Sequence, residues 1–107
     1  MVNVFECEPS DVQTWLDEGS AILIDVREEQ EVAIAPIYGA INLPLSSFDP
    51  KNLPENRGKR IAFLCAHGIR SQQISEYLVV NGLLDKAFNV TGGVSAWIQG
   101  NVPFEKT

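Results

Sequence analysis

One seven-residue run concentrates the reactive groups of this sequence: Cys65, Ala66, His67, Gly68, Ile69, Arg70 and Ser71. The thiolate is the nucleophilic form of cysteine, and at an ordinary pKa near 8.5 only about 3% of a thiol is ionised at pH 7; lowering the pKa by about two units ionises roughly three-quarters of it. The run has the means to do this. It follows an apolar stretch that reads as a strand and leads into a helical pattern. A helix start supplies unpaired N–H groups and partial positive charge, and Gly68, lacking a Cβ, lets a tight loop turn further amides toward one centre. Cys65 is thus the candidate nucleophile, and the backbone of Ala66, His67, Gly68, Ile69 and Ser71 the candidate anion cradle. Arg70 is a planar fork of donors for an anionic donor molecule or leaving group, and Ser71 reads as the helix-capping residue. The competing readings are a small buried cysteine that ends a core strand and a salt bridge from Arg70 to a nearby carboxylate.

Other reactive residues are weaker candidates. His67, the sole histidine, invites a general acid or base role, but side chains of a loop whose amides converge inward point outward, so it reads as a rim residue. Asp25, Arg27 and Glu31 follow an apolar run and read as a structural ion-pair and capping network. Cys7 lies on the expected first strand and is not expected to resolve a reaction at Cys65. No paired Cys/His spacing suits a zinc site, and two cysteines are too few for a disulfide framework.

The elements that position this run are legible from patterning. Val2 to Glu6 is a plausible first strand. A helix follows from Pro9, with Val12, Trp15 and Leu16 at helical spacing and Gly19 as its C-terminal cap. Ala21 to Ile24, ending in Asp25, is a continuous apolar run expected to be a central parallel strand. Glu28 to Glu31 suggests one or two helical turns, Ala40 to Leu43 a short strand, and Ser46 to Gly58 a loop with short helical pieces. Ile61 to Leu64 is a buried strand that stops at Cys65. From Ser71 to Gly82, Ile74, Tyr77 and Leu78 describe an amphipathic helix. Ala87 to Val90 is the last strand, and Val94 to Gln99 a last helix with Trp97 facing inward. This alternation predicts an α/β domain with a mostly parallel sheet, whose ligands bind beyond the carboxyl ends of the strands.

With 107 residues, 45% of them hydrophobic and 21% charged, the chain is expected to form one domain, 1–107, with an ordinary core. A net charge of −6 argues against nucleic acid and anionic lipid as partners. The cluster Lys51, Arg57, Lys59 and Arg60 reads as solvated surface, with docking of an acidic partner as the alternative. Residues 1–11 show no basic segment followed by an apolar run, and no stretch reaches the roughly 20 apolar residues that span a bilayer. The expected location is the cytoplasm.

Four motifs in order give the sequence a resemblance over nearly its whole length: Ile24-Asp25-Val26-Arg27-Glu28, Gly39-Ala40-Ile41-Asn42-Leu43-Pro44, Cys65 through Ser71, and Gly92-Gly93 with Trp97. Together they resemble the rhodanese-like domains. The resemblance implies a three-layer α/β/α sandwich around a five-stranded, mostly parallel sheet. It also implies a sulfurtransferase activity that needs no metal or organic cofactor. Cys65 would take a sulfane sulfur from thiosulfate or a persulfide donor and pass it to cyanide or a thiol, for instance on a thioredoxin-like protein. Four residues separate Cys65 from Arg70, as in the sulfurtransferases, whereas the related phosphatases have five; each residue adds about 3.3–3.6 Å of contour, so the shorter loop suits a sulfur and is tight for a phosphoryl group. Two departures stand out. Ala35-Pro36-Ile37 replaces a common Gly-His-Ile, and Asn101 replaces a glycine ahead of Pro103. The alternative function is a protein-binding or redox-sensing module on the same fold, with little turnover.

Overall fold

The computed structural model describes residues 3–100. The first strand, β1 (Val4–Cys7), runs into helix α1 (Pro9–Asp17), followed by β2 (Ala21–Asp25), α2 (Glu29–Ile34), β3 (Ala40–Asn42), β4 (Arg60–Leu64), α3 (Ile69–Val80), β5 (Ala87–Val90) and α4 (Gly93–Gln99). Between β3 and β4 the chain makes two 3-10 turns, at Leu45–Ser47 and Pro50–Asn52. The expected start of the first strand at Val2 and the expectation for Asn101 and Pro103 lie outside the described residues.

The five strands form one sheet in the order β1-β5-β4-β2-β3, and every pairing is parallel. Parallel neighbours need crossovers, and the helices supply them while covering both faces. Strand periodicity then sorts the core. Leu23, Ala62, Leu64 and Val90 face α1 and α4, packing with Val12, Val94 and Trp97. Ile24, Phe63 and Cys65 lie on the other face with Ile74 and Leu78 of α3. The expected sandwich is therefore observed, with a sheet that is wholly parallel.

Capping explains several boundaries. Glu8 caps α1, through a reciprocal capping box with Asp11 and with Pro9 in the first turn. At the other end Gly19 adopts φ 72°, while Gly19 N–H bonds to Leu16 O and Ser20 N–H to Trp15 O, the paired closure of a Schellman motif. Gly82 closes α3 in the same way, with N–H bonds from Gly82 to Val79 O and from Leu83 to Leu78 O.

Helix α3 departs from expectation in two respects. It begins at Ile69, two residues before the predicted Ser71, because Gly68 takes up φ 97° and becomes its N-cap. Its buried stripe is Ser71, Ile74, Ser75 and Leu78, whereas Tyr77 is 53% exposed; two serines occupy core-facing positions that a hydrophobic count overlooks.

Candidate active site

Strand β4 delivers Cys65 to the carboxyl edge of the sheet, where the residue is only 1% exposed. The loop that follows has its carbonyls bound elsewhere. Val94 N–H donates to Cys65 O at 2.9 Å and Ser95 N–H to Ala66 O at 3.1 Å, both from the first turn of α4. Gly68 O accepts from Gln72 N–H at 3.3 Å and from Asn89 Nδ2 at 3.2 Å. With the carbonyls held on the outside, amides are left facing the sulfur. Gly68 N–H donates to Cys65 Sγ at 3.1 Å, Ser71 N–H at 3.3 Å, and Ser71 Oγ lies 3.3 Å from the same atom.

The close seat of α4 depends on Gly93. A Cβ there would lie 2.2 Å from Cys65 O and 2.7 Å from both the carbonyl carbon and oxygen of Ala66. Backbone packs directly on backbone at this point, and no side chain fits between.

The electrostatics favour ionisation of Cys65. Burial works against the thiolate, but the Ser71 hydroxyl and the amides of Ser71, Gly68 and His67 outweigh it and bring the thiol below its ordinary range. Cys7 behaves in the opposite manner: burial, reinforced by Asp11, Glu6 and Glu8, pushes its thiol up to about 12. The two cysteines are unpaired and pack in the clusters on opposite faces of the sheet.

A cavity of about 260 Å³ opens over Cys65, lined by Ala66, His67, Ile69 and Arg70. Arg70 is bound at its mouth by Glu31, with NH1 to Oε2 at 2.9 Å and NH2 to Oε1 at 2.8 Å. His67 is exposed, and its Nδ1 is 3.1 Å from Ser95 Oγ. A larger depression of about 500 Å³, bounded by Pro50, Leu53, Leu83 and Leu84, holds no nucleophile. Among the described residues no three His, Cys, Asp or Glu side chains cluster as metal ligands, and no helix is long and apolar enough to cross a membrane.

The sequence profile of the rhodanese-like domain matches residues 8–99. The chain belongs to the rhodanese-like domain family. A solved structure of a rhodanese-related protein from Thermoplasma volcanium superposes with a TM-score of 0.79 at 31% identity, covering 94% of this chain and 97% of that one. The thiosulfate sulfurtransferase GlpE of Vibrio cholerae is 30% identical over 93 residues, 87% of each chain. The uncharacterized protein slr1261 of Synechocystis sp. is 33% identical over 99 residues, 92% of this chain, which spans 55% of the length of that relative.

In this rhodanese-like domain the structure gathers Cys65, Ala66, His67, Gly68, Ile69, Arg70 and Ser71 around one cavity and one sulfur, with two corrections of detail. Ser71 does not cap α3; Gly68 occupies that position, and Ser71 is fully buried beside Cys65 because the helix starts earlier. Arg70 is engaged by a carboxylate, the alternative its sequence context left open. Asp25 and Arg27 form the expected structural pair: Arg27 Nε donates to Asp25 Oδ1 at 3.0 Å and NH2 to Oδ2 at 2.7 Å, with both residues buried. Glu31 keeps the expected capping role, its Oε2 accepting from Glu28 N–H at 2.9 Å and its carbonyl oxygen from Arg27 NH1 at 3.4 Å, and it also joins the site through Arg70. Of the basic cluster, Lys51, Arg57 and Lys59 are exposed, as a solvated surface would have them; Arg57 pairs with Glu55, and Arg60 lies 4.5 Å over the Trp15 ring. Asn89 and Glu6 were not singled out in the sequence, and yet Asn89 contacts both Ser71 and Gly68. Its only sequence signal is a polar residue inside an apolar strand, Ala87-Phe88-Asn89-Val90.

Proposed function

We propose that this domain is a sulfurtransferase that moves a sulfane sulfur from thiosulfate or a persulfide donor through a Cys65 persulfide to cyanide or a thiol. The observation that carries the reading is the convergence of the Gly68 and Ser71 backbone N–H groups on Cys65 Sγ. Such preorganised donors stabilise negative charge without reorganising during the reaction. With thiosulfate, the Cys65 thiolate attacks the outer sulfur, the S–S bond breaks, and sulfite departs with the electron pair, leaving the charge of the new persulfide on its outer sulfur. Cyanide then attacks that outer sulfur, thiocyanate leaves, and the thiolate returns. Arg70 has five N–H donors, of which its pairing with Glu31 uses one each from NH1 and NH2; as a residue lining the cavity it is the contact for an anionic donor. Sulfurtransferase activity in the Vibrio cholerae relative supports the reading.

Intact-protein mass after brief incubation with thiosulfate, in wild type and Cys65→Ser, tests it. The expected result is a one-sulfur gain that requires Cys65 and disappears on adding cyanide. A thiol open to alkylation that gains no sulfur from either thiosulfate or an organic persulfide would overturn it.

A further inference from the structure

Behind Cys65 the hydrogen-bond directions are fixed by chemistry. The amide nitrogen of Asn89 is surrounded by acceptors alone: Glu6 Oε1 at 3.1 Å, Glu6 Oε2 at 3.3 Å and Gly68 O at 3.2 Å. Only an NH₂ group satisfies all three, so the amide has one orientation and its Oδ1 must face Ser71. An amide oxygen cannot donate, and the short contact between Ser71 Oγ and Asn89 Oδ1 therefore carries the Ser71 proton. A hydroxyl has a single proton. While Asn89 holds it, Ser71 Oγ can only accept at Cys65, which suits the thiol and opposes the thiolate. A thiolate obtains the Ser71 hydrogen bond only if the hydroxyl rotates and leaves Asn89 Oδ1, buried on a residue 3% exposed, without its donor.

We infer that Asn89, oriented by Glu6, is a positioning residue that competes with Cys65 for the Ser71 hydroxyl proton and so restrains the nucleophile until its charge is large enough to win. The inference concerns the thiol itself and holds whatever the sulfur donor is. The arrangement spans three elements: Glu6 on β1, Asn89 on β5 and Ser71 on α3. Thr91 Oγ1 also donates to Glu6 Oε1 at 3.0 Å, which steadies the carboxylate at the sheet edge. The other ionisable groups near the loop are His67 within it, Arg70 of α3 with Glu31 of α2, the Asp25–Arg27 pair after β2, and Cys7 of β1, whose Sγ donates to Asn89 O at 3.4 Å.

The test is the pH dependence of Cys65 alkylation by iodoacetamide in the full chain, read by peptide mass. Two variants of the exposed Glu6 lose the same charge and differ in what they offer Asn89. Glu6→Gln retains an oxygen acceptor, and Glu6→Leu has none. The expected result is an acid limb about one pH unit lower in Glu6→Leu than in Glu6→Gln, equivalent to roughly tenfold faster labelling below the limb. Asn89→Leu is expected to fall with Glu6→Leu. Coincident profiles for the two Glu6 variants would overturn the inference, even if sulfur transfer through Cys65 were established. So would an unchanged or raised limb in a folded Asn89→Leu protein.

Discussion

Arg70 and Glu31, 39 residues apart in sequence, meet face to face through two parallel N–H···O bonds of 2.9 and 2.8 Å and so join α3 to α2 beside the Cys65 cavity. The hydrogen bonds from Arg70, aided by the Glu28 backbone, lower the Glu31 carboxyl to about 2. A carboxyl group lowered on folding contributes stability that is complete above its unfolded pKa, about 4.3, and that fades as pH falls toward the folded value. The pair is about one-third exposed, so its contribution at neutral pH is about 1 kcal/mol at most. Urea midpoints at pH 6 should therefore be lower for Glu31→Gln than for wild type, and the difference should narrow at pH 3. A difference that widens in acid would contradict the pairing.

The two thiols should separate in a single labelling experiment. Cys65 is lowered by its hydrogen bonds and borders a cavity, whereas Cys7 is raised to about 12 and buried. Iodoacetamide at pH 7 is expected to add one equivalent, at Cys65, with Cys7 labelled only in urea. Peptide mapping decides the matter.

Removing one partner of the buried Asp25–Arg27 pair should be far more damaging than cutting the Arg70–Glu31 pair. Arg27→Met leaves a carboxylate 1% exposed without its bidentate partner and removes the donor to Ala35 O at 2.8 Å that ties β2 to the end of α2. A loss of about 3–5 kcal/mol is expected in denaturant titration. The double variant Asp25→Leu with Arg27→Met should recover part of it, since no lone charge stays buried.

Gly93→Ala places a methyl against Cys65 O and Ala66, while Gly82→Ala meets nothing within 4 Å. Both positions have positive φ, which alone is worth about 1–2 kcal/mol for an L side chain. Gly82→Ala should lose that amount and retain reactivity at Cys65. Gly93→Ala should lose more, and its iodoacetamide rate at pH 7 should drop about tenfold or more as the amides leave the sulfur.

Much of this architecture was legible because local rules and the fold agree. The runs Ala21–Ile24, Ile61–Leu64 and Ala87–Val90 are buried strands as patterned, and Gly19 and Gly82 end helices where a left-handed residue is needed. The candidate loop was legible from Cys65, Gly68, Arg70 and Ser71 standing between an apolar strand and a helical pattern, and the family resemblance agreed with it. What stayed hidden depends on distance in sequence or on a competing local signal. Ser71 looked like a cap because serine caps helices, but Gly68 reached the left-handed region first. The partner of Arg70 lies on α2, and no local pattern distinguishes Glu31 from Glu28 or Glu29. Asn89 is polar in an apolar strand, and its reason exists only once β1, β5 and α3 are assembled.

The amides of Val94 and Ser95 that hold the Cys65 and Ala66 carbonyls come from the last described helix, 29 residues downstream of the atoms they hold. The orientation of the Cys65 loop consequently depends on α4: a chain with β4 and α3 formed but α4 undocked has the cysteine without these two ties. The same tie makes the loop and α4 a single unit of local unfolding. Hydrogen exchange at the Gly68, Ser71, Val94 and Ser95 amides should report one shared opening free energy.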